Sequence, residues 1–235
     1  STRIIIRFAR GADRCFVLEP SLGPEGHLKT ARKGVGRFSI TVRGIAAHAG
    51  LDPAKGASAI LELSHIIQKL FALNDPGKGI TVNVGTIDGG LSPNMVAPES
   101  RAAVDVRVPT REDARRIERA IHALRAETPG TEVLVEGSVR RPPMERTPGN
   151  RRLWQLARRG AEELGIEIEQ AAAGGGSDGN TTSLFAPTLD GLGAVGAGAH
   201  AVNERLVLHK MVERSALLAR LLSYPPLDEA VPPED

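Results

Sequence analysis

The middle of the chain carries the clearest alternation of apolar and polar side chains. Residues 38–42 alternate in this way, and the same spacing returns across residues 80–87 and 102–108. A period of two residues is typical of strands that bury one face. The pattern therefore predicts three strands in this region, and a shorter fourth strand across residues 132–136.

Two helical patterns separate these predicted strands. In residues 57–73 the apolar positions on one side are Ile60, Leu63, Ile67, Leu70 and Phe71. In residues 111–126 they are Ala114, Ile117, Ile121 and Leu124. Spacings of three and four residues put such side chains on one face of a helix. The resulting order, β-α-β-β-α-β, is the ferredoxin-like pattern, and we place this domain at residues 33–143.

The two flanks, residues 1–32 and 144–235, read as pieces of one α/β domain that the central domain interrupts. They predict short strands at residues 14–18, 166–169 and 187–189, and helices that include one capped by Asn150. A parallel sheet covered on both faces needs more strands than these. We therefore expect this domain to be incomplete, with its first part upstream of Ser1.

Composition and charge exclude several classes of protein. The formal charge is +2, from 30 basic and 28 acidic side chains, which argues against a dedicated nucleic-acid binder. No apolar run approaches the ~20 residues of a membrane span. The single cysteine, Cys15, allows no disulfide within the chain, so a reducing compartment such as the cytoplasm is expected.

Glu19 and His200 are the first candidates for chemistry. Each follows an apolar segment and lies beside a glycine-rich loop. Carboxylate oxygens and imidazole nitrogens are ordinary zinc ligands, and zinc usually takes four. The spacing alone leaves the commoner alternatives open, which are a solvated glutamate at a strand end and a loop histidine bonded to backbone.

Six segments in a fixed order carry a resemblance to a known family. They are Val17-Leu18-Glu19-Pro20, Ala46-Ala47-His48-Ala49-Gly50, Asn94 with Met95-Val96-Ala97-Pro98, Val104-Asp105-Val106-Arg107, Gly174-Gly175-Gly176-Ser177-Asp178 and Ala199-His200-Ala201. Together they resemble the zinc-dependent exopeptidases and deacylases, which include glutamate carboxypeptidase, aminoacylase, acetylornithine deacetylase and succinyl-diaminopimelate desuccinylase. Glutamate carboxypeptidase looks nearest. The resemblance implies an incomplete α/β catalytic domain interrupted by a ferredoxin-like domain that serves as lid and dimerisation domain.

The resemblance also implies metal ligands and a partner. Glu19 matches a carboxylate that binds one Zn²⁺ of a two-zinc site, and His200 matches the histidine that binds the other; Co²⁺ is a possible substitute. His48 matches a lid histidine that reaches the active site of the neighbouring subunit in a homodimer and polarises the scissile carbonyl. Such a donor stabilises the charge that develops on that oxygen. Without the resemblance, His48 reads as a surface turn histidine.

Further residues are implied to bind a small substrate with a free carboxylate. Arg107 matches an arginine that clamps this carboxylate, as a guanidinium fork can, and Asn94 matches a neighbouring polar contact. Gly174, Gly175 and Gly176 match a loop whose backbone lies against the substrate, where missing side chains allow close approach. The alternatives are a surface strand arginine and a flexible loop.

Several elements of the family's chemistry do not occur in this sequence. No His-x-Asp segment is present, and the one Glu-Glu pair, Glu162-Glu163, lies in a predicted amphipathic helix far beyond Glu19. One glutamate of such a pair is the family's general base. We therefore expect a hydrolase that is active only as a longer protein, with this chain inactive alone.

Two other functions stay open at this point. One is a non-catalytic dimerisation or ligand-binding module. The other, an RNA-binding domain, is weakly supported because Phe38 is the only aromatic candidate for base stacking on the predicted strands.

Overall fold

The computed structural model describes residues 2–198 and 201–231 of the 235-residue chain. Gly34–Pro142 form one compact unit, here called the insert. The chain on both sides of it, Ser1–Lys33 and Pro143–Asp235, forms the second as far as it is described, here called the flanking unit. Among the described helices, none has the length and apolar character needed to cross a membrane.

The elements follow one another in this order: α1 (Thr2–Ala9), β1 (Cys15–Val17), β2 (Leu28–Arg32), β3 (Gly34–Arg43), a 3₁₀ turn (Pro53–Lys55), α2 (Ala59–Phe71), β4 (Thr81–Gly89), β5 (Glu99–Val108), α3 (Arg111–His122), β6 (Glu132–Arg141), α4 (Pro148–Glu163), β7 (Gln170–Ala173), α5 (Gly179–Thr182), β8 (Thr188–Asp190), β9 (Gly196–Ala197), β10 (Arg205–Leu206), α6 (Leu208–Ser223) and α7 (Leu227–Ala230).

The insert has the predicted ferredoxin-like architecture. Its four strands form one antiparallel sheet in the order β4-β5-β3-β6. Alternate residues of β3 and β5 are buried, so one face of the sheet packs against α2 and α3 while the other face is open. Phe38 is among the buried residues at 3% exposure, which removes the one candidate for stacking on RNA.

Caps in the sequence set where the insert's helices begin. The hydroxyl of Ser58 accepts a hydrogen bond from the backbone of Leu61, and Thr110 likewise caps α3. The predicted inner face of α3 is confirmed. The predicted face of α2 is partly wrong, because Ile60 and Phe71 are each 48% exposed and Ile66 takes the core position.

The flanking unit is built on a mixed four-stranded sheet in the order β1-β8-β2-β7. β1 pairs with β8 in parallel, and β2 pairs with β7 in parallel, while Lys29 and Asp190 form the antiparallel contact between β2 and β8. Helices α4 and α6 supply most of the apolar core, which is Leu28, Leu153, Leu156, Ala157, Ala161, Leu189, Leu192, Leu217, Leu221, Tyr224 and Leu227.

The structure corrects three local predictions in the flanking unit. Strand β2 lies directly before the domain boundary predicted at residue 33, where no strand was predicted. The strand predicted at residues 166–169 lies instead at Gln170–Ala173, which pairs with β2. Asn150 does not cap α4, because Thr147 does so with Pro148 in the first turn; the buried Asn150 amide instead ties α4 to β8 by accepting from the backbone of Thr188 at 2.7 Å.

Candidate functional site

Glu19 lies just beyond the carboxyl end of β1, with its side chain exposed. Its backbone is held against the loop after β8, because Gly193 donates its N–H to the Glu19 carbonyl at 3.0 Å. The approach is so close that a Cβ atom on Gly193 would stand 2.4 Å from the Leu18 oxygen and 2.8 Å from the Glu19 oxygen. Glycine at 193 is therefore a requirement for the position of Glu19.

A buried charged cluster, which the sequence analysis did not single out, lies next to Glu19. The Arg32 guanidinium makes a two-pronged ion pair with Asp190, with Nε–Oδ2 at 2.7 Å and Nη2–Oδ1 at 2.8 Å. Lys29 donates from Nζ to the carbonyl of Pro20 at 2.5 Å. Burial and the neighbouring Arg32 hold the pKa of Lys29 below its ordinary value, while Asp190 and Glu19 act in the opposite direction.

This cluster also fixes the glycine-rich loop. Arg32 donates from Nη1 to the carbonyl of Gly175 at 2.9 Å, and the hydroxyl of the buried Ser177 donates to Asp190. The signal for Asp190 was present in the sequence, because it ends a short apolar strand in the same way as Glu19 follows β1.

The described part of the chain does not by itself make a complete metal site. Residues 2–198 and 201–231 contain no group of three or more His, Cys, Asp or Glu side chains placed to hold an ion. Zinc usually takes four ligands, and Glu19 is the one predicted ligand among the described residues. His200, the second predicted ligand, lies outside the described residues, so the structure does not test whether the two converge.

Gly174 and Gly175 are exposed in the loop that follows β7. A Cβ atom placed on either would meet no atom within 4 Å. Packing within the described chain therefore does not explain glycine at these two positions. Open space on that side of the backbone fits the prediction that a ligand approaches it, and Gly176 completes the predicted run.

His48 lies in the loop that joins β3 to α2, and its side chain is exposed. Its Nδ1 accepts two backbone N–H hydrogen bonds, from Gly50 and from Leu51, both at 3.1 Å. A neutral imidazole whose Nδ1 is an acceptor carries its proton on Nε2. The turn therefore presents His48 as a hydrogen-bond donor, which is the form that polarising a carbonyl requires.

Asn94 belongs to the same surface as His48. Residue 48 forms an isolated antiparallel bridge with Met95, and the N–H of Ala49 donates to the Asn94 carbonyl at 2.9 Å. The Asn94 side chain is exposed, and its Oδ1 accepts from Ser92 at 2.6 Å. The structure thus brings together two of the predicted site residues of the insert.

Arg107 lies elsewhere, on the open face of the insert's sheet. It belongs to β5 and pairs in register with Val35 at the start of β3. The loops that carry His48 and Asn94 meet the sheet at its opposite end, where Arg43 pairs with Glu99. Eight residues of strand, about 27 Å, separate Glu99 from Arg107. Within one chain, therefore, His48 and Arg107 are too far apart to contact one small substrate.

The pair Glu162-Glu163 has a structural role in the flanking unit. Glu163 accepts hydrogen bonds from Arg220 Nε at 2.5 Å and from the Tyr224 hydroxyl at 2.9 Å, which ties α4 to α6. These hydrogen bonds, from Arg220 first and Tyr224 second, hold the pKa of Glu163 below its ordinary value. A carboxylate in that state is a poor general base.

The chain is similar in sequence to known peptidases. The family profile of the M20 peptidases that is described as the peptidase dimerisation domain matches residues 30–131. Carboxypeptidase G2 of a Pseudomonas species is 25% identical over 228 residues, which are 94% of this chain and 55% of that protein. The chain thus spans about half the length of the curated relatives it matches.

Solved structures share the fold. The aminopeptidase PepT of Bacillus cereus matches with a TM-score of 0.75 at 23% identity, over 94% of this chain and 61% of the other. The YXEP protein of Bacillus subtilis, described as a dinuclear metal-binding peptidase of the M20 family, matches with a TM-score of 0.67 at 17% identity, over 94% of this chain and 60% of the other. At these identities the likeness establishes the architecture alone.

Proposed function

We propose that the whole protein is a metal-dependent hydrolase of amide bonds, and the match of residues 30–131 to the peptidase dimerisation domain of the M20 family supports this proposal. The proposed substrates are N-acyl amino acids or small peptides that bear a free carboxylate. The observation that carries the proposal is the pair of backbone N–H hydrogen bonds to His48 Nδ1, which leave Nε2 as the ring nitrogen that can donate. A donor aimed at the scissile oxygen stabilises the transition state more than the ground state.

Arg107 is proposed to hold the carboxylate of the substrate. It lies on the open face of the sheet, as does the exposed Arg101 of the same strand. The separation of His48 from Arg107 supports a site completed by two subunits, in which the imidazole comes from the partner copy. Asn94, beside His48, is proposed as a further polar contact, and Gly174–Gly176 as the backbone surface against which the substrate lies.

The homodimer is proposed to form through the insert. Strand β4 is an edge of the sheet, and its residues from Gly85 onward are exposed. Ile87 on this edge is 61% exposed, and Ile60 and Leu61 on the neighbouring α2 are about half exposed. An unpaired edge beside apolar side chains is suited to pairing with a second copy.

Glu19 and His200 are proposed as two of the metal ligands, with zinc as the metal. In such an enzyme the metal supplies the activated water, and the residues of this chain bind and orient the substrate. The sequence has no His-x-Asp segment, and Glu163 is bonded to Arg220 and Tyr224. We therefore propose that the rest of the whole protein supplies the remaining ligands and the general base, and that this chain alone is inactive. The cytoplasm remains the proposed location.

Metal removal tests the proposal directly. The full-length protein should lose hydrolysis of N-acyl amino acids on dialysis against a chelator and regain it on addition of Zn²⁺. The 235-residue chain should show no activity in either condition. Full activity after complete metal removal, confirmed by elemental analysis, would contradict the metal dependence. Absence of hydrolysis in both conditions, with carboxylate binding retained, would favour a non-catalytic ligand-binding module.

A further inference from the structure

Arg107 has one of its two binding edges already filled in the structure. Its Nε donates to Asp105 Oδ1 at 2.7 Å and its Nη2 donates to Asp105 Oδ2 at 3.0 Å. These two donors form the side-on edge of the guanidinium plane. The end-on edge, formed by Nη1 and the second proton of Nη2, points away from this contact. A planar guanidinium can hold one carboxylate on each edge.

Stability alone does not explain this pair. Asp105 and Arg107 are neighbours on the open face of β5, with side chains 35% and 30% exposed. Ion pairs at such exposure contribute little to the stability of a fold. The two-pronged contact instead restrains the Arg107 side chain, because it fixes the plane of a guanidinium group that otherwise samples many rotamers.

The surroundings of the pair favour an anion as its ligand. Arg37, exposed, lies beside Asp105 in register on β3, and Arg141 on β6 pairs with Val35, the register neighbour of Arg107. Three guanidinium groups therefore lie at this end of the open face around Asp105, and Glu136, opposite Ser39, is the next carboxylate along it. A further carboxylate at the free edge of Arg107 reduces the local excess of positive charge.

We propose that Asp105 is a positioning residue that occupies the side-on edge of Arg107 and so presents only the end-on edge to the carboxylate of the substrate. This inference rests on the proposed function, in which Arg107 binds that carboxylate. It assigns Asp105 a role through Arg107 rather than a contact with the substrate. The opposite role, in which Asp105 competes with the substrate for the same fork, predicts effects of opposite sign.

The test compares Asp105→Asn and Asp105→Ala in the full-length protein with the parent. Loss of the two-pronged contact frees the guanidinium, so KM for an N-acyl amino acid should rise about fivefold or more while kcat changes little, because pre-organisation is lost. Calorimetric titration with a non-hydrolysed carboxylate ligand should show the same fold loss in affinity. A fall in KM and tighter binding would show competition and overturn the proposal, and so would unchanged values.

The same strand offers a matched control. Glu99 and Arg101 form an equivalent pair two residues apart on the same face, with Oε1–Nη2 at 2.8 Å, at the opposite end of β5. Glu99→Gln should leave KM unchanged. Arg107→Lys separates the two proposals: if it leaves KM unchanged, the clamp itself is absent, whereas a raised KM with no effect of Asp105→Asn contradicts the positioning role alone.

Discussion

At the scale of single residues, identical amino acids have different reasons for their positions. Gly193 has carbonyl oxygens at the place of a side chain, and no side chain fits there without moving the backbone beside Glu19. Gly174 has empty space at the same place. The first glycine is required by the fold, and the second is free of that requirement. The sequence placed both in glycine-rich loops and could not separate them, because the difference depends on atoms distant along the chain.

Substitution by alanine should separate the two roles. Gly193→Ala places a methyl group against the Leu18 carbonyl, and overpacking of this kind costs about 1–3 kcal/mol of unfolding free energy. Gly174→Ala should change stability by less than about 0.5 kcal/mol but raise KM, since the methyl group occupies the space proposed for the substrate. Urea unfolding and steady-state kinetics measure the two effects. Equal loss of stability in both variants would refute the distinction.

At the scale of elements, the sequence predicted best where one face of an element is buried and the other is open. Strands β3 and β5 of the insert alternate strictly, so their existence and order were correctly predicted. Strand β7 carries three alanines, Ala171–Ala173, and shows no such alternation. Helix α2 shows the same limit: its apolar residues exceed what one face can bury, and only tertiary packing decides that Ile66 is inside and Ile60 outside.

One contact of helix α2 predicts a dependence on pH. The buried Glu62 carboxylate accepts backbone N–H bonds from Glu127 at 3.2 Å and Thr128 at 2.7 Å, and so anchors the turn before β6. Burial by itself would raise the pKa of Glu62, but the hydrogen bonds from Thr128 and Glu127 and the nearby His65 outweigh it, and the pKa is lowered. A lowered folded pKa contributes stability above the unfolded value, near 4.3, and this is lost as the pH falls.

Glu62→Gln should therefore destabilise the protein at neutral pH by about 1–3 kcal/mol, because one buried N–H loses its acceptor. The difference from the parent should shrink as the pH falls below the unfolded pKa of about 4.3, because proton binding by the carboxyl then favours the unfolded chain. Urea unfolding at pH 7 and pH 3.5 measures both values. The exposed Glu136 provides the control, since Glu136→Gln should change little at either pH. A difference that stays constant with pH would contradict the role of the charge.

At the scale of the whole molecule, His48 and Arg107 lie at opposite ends of one sheet, and this separation supports the proposed site in which two chains each supply one of them. The family resemblance implied this arrangement, but neither composition nor periodicity predicted it, because the distance follows from strand register. The sequence predicted which residues are candidates for the site. Which of them share a surface, as His48 and Asn94 do, emerged only from the fold, and the pairing of Glu19 with His200 stays a prediction.

Mixed dimers provide the test. His48→Ala should lower kcat/KM about a hundredfold, as loss of an oxyanion donor does, and Arg107→Ala should raise KM. When the two full-length variants are mixed and reassembled, half of the dimers combine both chains, and each of these holds one intact site of two. About a quarter of the parent activity should return. Failure to recover any activity, despite verified subunit exchange, would place both residues in the same chain's site.

The chain enters and leaves the insert at adjoining points, and this has a consequence for how the insert can be exchanged. Arg32 and Met144 exchange backbone hydrogen bonds on one side of the boundary, and Val35 pairs with Arg141 on the other. The two points at which the chain enters and leaves the insert therefore lie side by side. A segment whose two ends adjoin can be removed and closed by a tight turn, or exchanged for another with adjoining ends, without cutting the sheet that hosts it. The insert is therefore a segment that can be removed or exchanged as one unit.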